Sequence, residues 1–336
     1  MAKSPQLTDY VRLIIELFDR FRQEGSARAG AKLGRPFRYS EEPFVIFFML
    51  MQYRRIYACK SQWRWLHKHP EVVEMLGWEQ IPHCITIGRR YKRLYELLQL
   101  FVLFIGQNRS GLAEQLDQSH LVEDKSLFKA RGPVWHERMR TAGRIPAKLR
   151  NLDTDASWSR SAYHGWVYGY GLHMTCNQDA LPAMLQVETA AVSESQVLDQ
   201  KEELILNQLR LQTIAADNAY TKAMRIRNWK RDGVLLLTPT HRWVHGRFAC
   251  AYHSFIRLPE MVRLMRKRRT SVEPLFDLIA KVIGTHAQQK QLPVSSLDNV
   301  RSCSALATLS IQIAMIVNAK WGLPHRNISD IATAFQ

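Results

Sequence analysis

Three carboxylates sit at the edges of apolar runs in this chain. They are Asp124 in Leu121-Val-Glu-Asp124, Asp217 in Ala215-Ala-Asp217-Asn-Ala-Tyr220, and Glu273 in Arg269-Thr-Ser-Val-Glu273-Pro-Leu-Phe276. Acids brought together repel unless a cation joins them. Their hard oxygens select Mg²⁺ or Mn²⁺ over softer metals. Two such ions about 3.5–4 Å apart activate an attacking oxygen and stabilise a leaving one. The surrounding chain is basic, with 47 Lys and Arg against 30 Asp and Glu and a net charge of +17 over 336 residues. That excess suits a polyanionic partner such as a phosphodiester backbone.

Other acids compete for the first position. Glu123 precedes Asp124, but strand alternation lets only one of the two face a given side. Asp153 and Asp155, in Asn151-Leu-Asp-Thr-Asp-Ala-Ser-Trp158, form a rival pair. Spacing alone leaves Asp124 and Asp153 both open.

The elements that must position these residues follow from periodicity and caps. Thr8 opens a helix with Val11, Ile14, Ile15, Phe18 and Phe21 on its apolar face, and Ser40-Glu-Glu-Pro43 opens a second. Short helices follow over 61–69 and from Pro70 to Gly77. Thr86 then caps a basic helix carrying Arg89, Arg90, Lys92 and Arg93, an order that suggests a helix-turn-helix reader of DNA. Between the first two helices lies a basic linker over 26–39. Its Arg35 and Arg38, with Gly34-Arg35-Pro36 resembling an AT-hook core, suit a narrow minor groove. From His120 the pattern becomes strand-like at 121–123, 165–176, 183–191, 212–216 and 234–237. Helices are expected over 195–209, 221–230 and 260–283. Three successive strands predict an antiparallel meander, and the later alternation predicts parallel additions, an α/β architecture. Asp124 would end the first strand and Asp217 the fourth, and ligands of such sheets bind beyond strand carboxyl ends. Glu273 borders the helical stripe Val272, Leu275, Phe276 and Ile279, and Pro274 marks a helix start or a kink there.

Composition removes several classes. The five cysteines are scattered and form no Cys-x-x-Cys, which argues against a zinc ribbon and fits a reduced interior. No apolar signal core opens the chain, and the run from Cys303 to Ala319 is broken by Ser304, Thr308, Ser310 and Gln312, so a buried helix and a cytoplasmic, nucleoid-associated protein without membrane contact are expected.

Taken with Gly34-Arg-Pro-Phe-Arg-Tyr-Ser40, Pro133-Val-Trp-His136, Asp153-Thr-Asp-Ala-Ser-Trp158, Gly165-Trp-Val-Tyr-Gly-Tyr-Gly-Leu-His173 and Leu297-Asp-Asn-Val-Arg301, the three acidic segments make the chain resemble bacterial insertion-sequence transposases of the DDE class over about residues 30–318. The resemblance implies an RNase H-like mixed sheet with flanking helices over 113–300. It also implies an all-helical DNA-binding region over 1–112 and a C-terminal helix and tail over 301–336. It selects Asp124 as the first catalytic acid, in Glu123-Asp-Lys-Ser-Leu-Phe-Lys-Ala130, with Asp217 and Glu273 as the second and third. The implied activity is cleavage at element ends and transfer of the freed 3′-hydroxyl into target DNA. Two Mg²⁺ (or Mn²⁺) ions, double-stranded DNA carrying terminal inverted repeats, target DNA and a homodimer on DNA complete the expectation. A catalytically inactive DNA-binding derivative and an RNase H-like nuclease are the alternatives.

The chain departs from the pattern in places. Lys125 and Ser126 replace small residues after the first Asp, and Gly171 stands where a Lys is common before Leu-His. Arg269 keeps its place before the Glu, whereas Arg266 occupies a Tyr position and Ala280 a Lys position, with Lys281 one step out of register. The basic run Arg266, Lys267, Arg268 and Arg269 is expected to meet phosphates. Trp158, Trp166 and Trp243 are candidates for stacking on a flipped base, a role open to any tryptophan near the core. His136 and His173 are read as structural.

Overall fold

The computed structural model describes residues 5–25, 38–107, 118–147, 149–161, 165–239 and 246–336. Arg35, most of the basic linker and Trp243 lie outside the described residues.

Helices α1 (Leu7–Gly25), α2 (Glu41–Tyr53), α3 (Cys59–Leu66), α4 (Pro70–Met75) and α5 (Cys84–Gly106) precede the sheet. Then come β1 (His120–Lys129), α6 (Glu137–Thr141), β2 (Ser157–Ser161), β3 (Gly165–Asn177), β4 (Pro182–Thr189), α7 (Glu194–Gln208), β5 (Thr213–Ala215), α8 (Ala223–Arg231) and β6 (Leu235–Leu237). Helices α9 (Arg247–Ile256), α10 (Pro259–Ile283), α11 (Leu297–Trp321) and α12 (Ser329–Phe335) close the chain.

The six strands form one mixed sheet. Its order is β2-β3-β1-β5-β6, and β4 pairs with β3. β3 runs antiparallel to β1, β2 and β4, whereas β1, β5 and β6 are parallel. The expected meander followed by parallel additions is therefore present. A helical layer covers each face, because alternate strand residues enter two cores. Val122, Ala215 and Leu237 join α1, α2, α5, α10 and α11 on one side. Leu121, Ile214 and Leu236 join α7 and α8 on the other, with Leu198, Ile205 and Trp229. Strands buried on both faces read as near-continuous apolar runs, which made β5 and β6 legible.

Local signals set the ends of the positioning elements. Ser193 and Gln196 form a reciprocal capping box at α7. Pro259 opens α10 and the left-handed Gly284 (φ 80°) ends it. α10 is continuous through Pro274, which is thus neither a start nor a stop. The missing Pro274 N–H leaves the Thr270 carbonyl without its helical donor, and Arg326 Nη1 donates to that carbonyl instead at 3.1 Å.

Three sequence expectations need correction. Asp124 does not end its strand, because β1 runs on to Lys129 paired with β3. Thr86 is not the cap of α5, which begins at Cys84 with His83 accepting from Ile85 N–H. Nor is α5 a free recognition helix. It runs on to Gly106, and its last turns are buried against β4 and α11. α11 is the one helix among the described residues long and apolar enough to cross a membrane, but 94% of its most apolar stretch is buried inside the fold. It is a core helix, as expected.

Candidate functional site

Parallel pairing between β1 and β5 brings the first two acids close together. The register matches Leu121 with Ile214 and Val122 with Ala215. Two residues further come Asp124, still within β1, and Asp217, just past the end of β5, and Asp217 acts electrostatically on Asp124. Val122 and Ala215 both face the α10 layer, so Asp124 and Asp217 continue on that face. The chain turns sharply after β5. Asp217 caps a single 3₁₀ turn, Asn218–Tyr220, and its Oδ1 accepts from Ala219 N–H at 2.9 Å.

α10 crosses this face of the sheet. Its inward stripe includes Leu264, Val272, Leu275, Phe276 and Ile279, all buried. Arg268 lies one turn before Val272 on the same side, and its Nη1 is bonded to Asp124 Oδ2 in an ion pair with 16% of each side chain exposed. Glu273 is at the exposed border of that stripe.

Charges of both signs act on one another here. Burial pushes the Asp124 carboxyl up to about 7, Arg268 opposes the rise, and Asp217 adds to it. Burial also raises Asp217, which Arg268 pulls back. Burial lowers the Lys290 ammonium, and Asp277, Glu273 and Asp124 hold it up. Among the described residues no group of three His, Cys, Asp or Glu is placed to hold one metal ion together. Mg²⁺ does not require three, since it usually keeps waters and binds through one or two carboxylates plus substrate phosphates. The donor chemistry fits: every acid is a hard-oxygen ligand, and Asp124, the acid between the two strands and α10, is at present ion-paired with Arg268.

The competing acids have other roles. Glu123 points to the opposite face, where Lys201 of α7 bonds its Oε1 and Oε2 at 2.8 and 2.7 Å, and both side chains are fully buried. Asp153 accepts from the Tyr170 hydroxyl and from Ser296 N–H, and Asp155 accepts from Leu297 N–H. Together they satisfy the first backbone donors of α11 from outside the helix.

Two of the noted departures fit together. Lys125 is buried and donates from Nζ to the carbonyls of Ala190 and Val192. A Cβ on Gly171 would stand 2.7 Å from Lys125 Cε and 3.1 Å from His173 Nε2. A side chain at 171 would displace the Lys125 ammonium, which here lies between the Ala190 and Val192 carbonyls and 3.6 Å from Glu194 Oε1. His173 itself is fully buried, with neither ring nitrogen partnered, and burial lowers it to about 2. It is a neutral structural histidine. His136 is exposed, at the start of α6.

The proposed DNA contacts divide. Arg38, Arg89, Lys92, Arg93, Arg266, Lys267 and Arg269 are exposed. Arg90 instead donates to the Tyr39 carbonyl at 2.9 Å and lies over the Phe44 ring, so it holds the start of α2 against α5. Arg90, Lys92 and Arg93 line a cleft of about 800 Å³ together with Glu41, Glu96 and Glu188, a wall of mixed charge rather than a uniformly basic one. Trp158 donates its indole N–H to the Trp135 carbonyl and packs on Tyr168. Trp166 is 68% exposed. It lies eight residues along β3 from Met174, the partner of Asp124, hence roughly 26 Å from the acids. Neither tryptophan stands beside the acids in this arrangement.

Lys290 was not among the sequence-derived candidates, because nothing in a loop sequence signals its return to β1. Comparisons of the chain with protein-family models, curated proteins and solved structures return no match.

Proposed function

We propose that the chain is a DNA transposase of the insertion-sequence type, built on an RNase H-like core, which cuts at element ends and joins the freed 3′-hydroxyl to target DNA. The nearness of Asp124 on β1 to Asp217, just past the end of the neighbouring parallel strand β5, under the helix that carries Glu273, is the observation that carries this reading. The mixed sheet supports it: β3 is antiparallel to β1, β2 and β4, and β5 and β6 are added parallel to β1, in keeping with the expected RNase H-like core.

On this reading Asp124, Asp217 and Glu273 hold two Mg²⁺ or Mn²⁺ ions. When bound, the ions supply activation of the attacking oxygen and neutralisation of the leaving one. The chain's own residues do the rest. The sheet fixes Asp124 and Asp217 before substrate arrives, which is preorganisation rather than induced assembly. Arg268 keeps Asp124 compensated in the free protein, and with Arg266, Lys267 and Arg269 it turns to phosphate oxygens once DNA is bound. The exposed basic face of α5, Arg89, Lys92 and Arg93, supplies sequence-independent affinity further out. Two ends must be joined, so the acting form is a homodimer on DNA.

Mn²⁺-dependent nicking of DNA carrying the element ends tests the reading. Glu273→Gln should bind that DNA as wild type does and fail to cut it; undiminished cleavage by this variant removes Glu273 from the mechanism. Joined products on a second duplex separate a transposase from an RNase H-like nuclease. Binding by the wild type without cutting would identify an inactive DNA-binding derivative.

A further inference from the structure

Lys290 is the second cation beside Asp124, and the backbone is strained to put it there. After Gly284 the chain folds back onto the edge of β1: Lys129 N–H donates to the Lys290 carbonyl at 2.8 Å, and Leu292 N–H to the Lys129 carbonyl at 2.9 Å. Lys290 itself has φ 43°, a left-handed conformation that a non-glycine residue adopts at a cost of roughly 1–3 kcal/mol. Such strain persists where the surrounding contacts fix it, and it concentrates at functional sites.

What the strain secures is the place of the ammonium. Nζ donates to Ser126 Oγ at 2.9 Å and lies 5.6 Å from the centre of the Phe128 ring and 5.7 Å from that of Phe276. Ser126 and Phe128 follow Asp124 on the same face of β1, and Phe276 lies on α10 between Glu273 and Asp277. Asp277, Glu273 and Asp124 all act on the ammonium electrostatically, yet among the described residues no carboxylate is within ion-pairing distance of it. A lysine placed only to hold the fold would close onto one of these acids. Here two aromatic faces and a hydroxyl carry the ammonium between them, and it keeps unused N–H donors.

We propose that Lys290 contacts a non-bridging oxygen of the reacting phosphodiester, on the Glu273 side of Asp124. The inference rests on the reading given under Proposed function and adds to it a substrate-touching residue. A compact ammonium with free donors suits a tetrahedral anion whose charge shifts during reaction. Arg268 reaches Asp124 from α10, and Lys290 lies further along the same face of β1, at Ser126 and Phe128, so a phosphate held over Asp124 and Ser126 meets both cations.

The experiment compares wild type, Lys290→Met and Lys290→Arg in Mn²⁺-dependent nicking of supercoiled plasmid, with thermal melting and the affinity for a short duplex of arbitrary sequence measured on each. The expected result for Lys290→Met is a fall in kcat of about 10²-fold. Its melting temperature should be unchanged and its duplex affinity within about twofold, since one phosphate contact among many is lost. Lys290→Arg should recover part of the rate. Nicking by Lys290→Met at the wild-type rate overturns the inference and leaves the transposase reading standing. A rate loss that tracks a lowered melting temperature and is not recovered by Lys290→Arg makes the lysine structural, which also overturns it. Failure of the wild type itself to nick overturns both.

Discussion

Arg268 on α10 is ion-paired with Asp124 on β1 across the gap that the proposed metal site must fill. The guanidinium therefore competes with any divalent ion for the same carboxylate oxygen. Removing it uncovers a largely buried acid, and the lost charge-assisted bond is worth about 1.5–3 kcal/mol. Arg268→Gln should melt several degrees below wild type without metal. Added Mn²⁺ should then raise its melting temperature by more than it raises that of wild type, because binding to the folded state is no longer opposed by the guanidinium. Equal Mn²⁺ shifts in the two proteins would show that the ion and Arg268 do not share Asp124.

On the other face of the same strand, Glu123 and Lys201 form an ion pair with no exposed surface, and Thr175 Oγ1 bonds both partners. Burial lowers the Lys201 ammonium while Glu123 holds it up. Breaking such a pair strands one charge in the core and costs about 3–5 kcal/mol, whereas replacing both partners by apolar side chains of similar size is often near neutral. Lys201→Met should thus be strongly destabilised in denaturant titration, and Glu123→Leu combined with Lys201→Met should regain most of the loss. If the double variant is as unstable as the single one, the cost lies in the packing of α7 and not in the charge.

Much of this arrangement is legible in the chain. Five of the six strands follow from three runs of alternating or continuous apolar residues and two short buried ones, and α10 announces itself by the spacing of Val272, Leu275, Phe276 and Ile279. What escaped has a physical cause in each case. The second half of β1, Asp124-Lys-Ser-Leu-Phe-Lys129, pairs fully with β3 although four of its six residues are polar, because its faces meet charged partners and not only a core. β2, Ser-Trp-Ser-Arg-Ser, has almost no apolar face and is a strand only by pairing with β3. Type and spacing singled out Asp217 and Glu273 but left Asp124 and Asp153 both open, and only the resemblance to DDE transposases selected Asp124; neither type nor spacing pointed to the cations near Asp124. Arg268 looked like any member of a basic run, and Lys290 depends on a left-handed backbone that no side-chain pattern encodes.

His173 ties stability to pH. Burial and the nearby Lys125 and Lys201 ammonium groups lower its pKa to about 2, against 6.5 unfolded. The folded state therefore stays neutral while the unfolded state takes a proton below pH 6.5. Because the unfolded state binds more protons there, stability falls as the pH drops from 6.5 toward 2, by up to about 1.4 kcal/mol per pH unit from this residue. His173→Gln should flatten the acid limb of the wild-type stability curve between pH 6.5 and pH 4 by that slope. Parallel curves for the two proteins would mean that His173 protonates in the fold.

Arg326 and Pro274 offer a test of how the Glu273 turn is held. The proline follows Glu273 directly and removes the N–H that would reach Thr270; Arg326, which also donates from Nε to the Asp179 carbonyl at 3.2 Å, supplies the replacement donor. Arg326→Ala should cost about 1 kcal/mol, the usual net value of a hydrogen bond. In a Pro274→Ala background the helix recovers its own donor, so the same Arg326 substitution should cost measurably less. The two changes should then show a coupling energy of about 0.5 kcal/mol or more in a double-mutant cycle. The Thr270 carbonyl, which Arg326 reaches in the wild type and the restored N–H at position 274 would reach in the variant, is the route for this coupling. Strict additivity would mean that Thr270 is served by solvent and that the turn carrying Glu273 is fixed by the buried stripe of α10 alone.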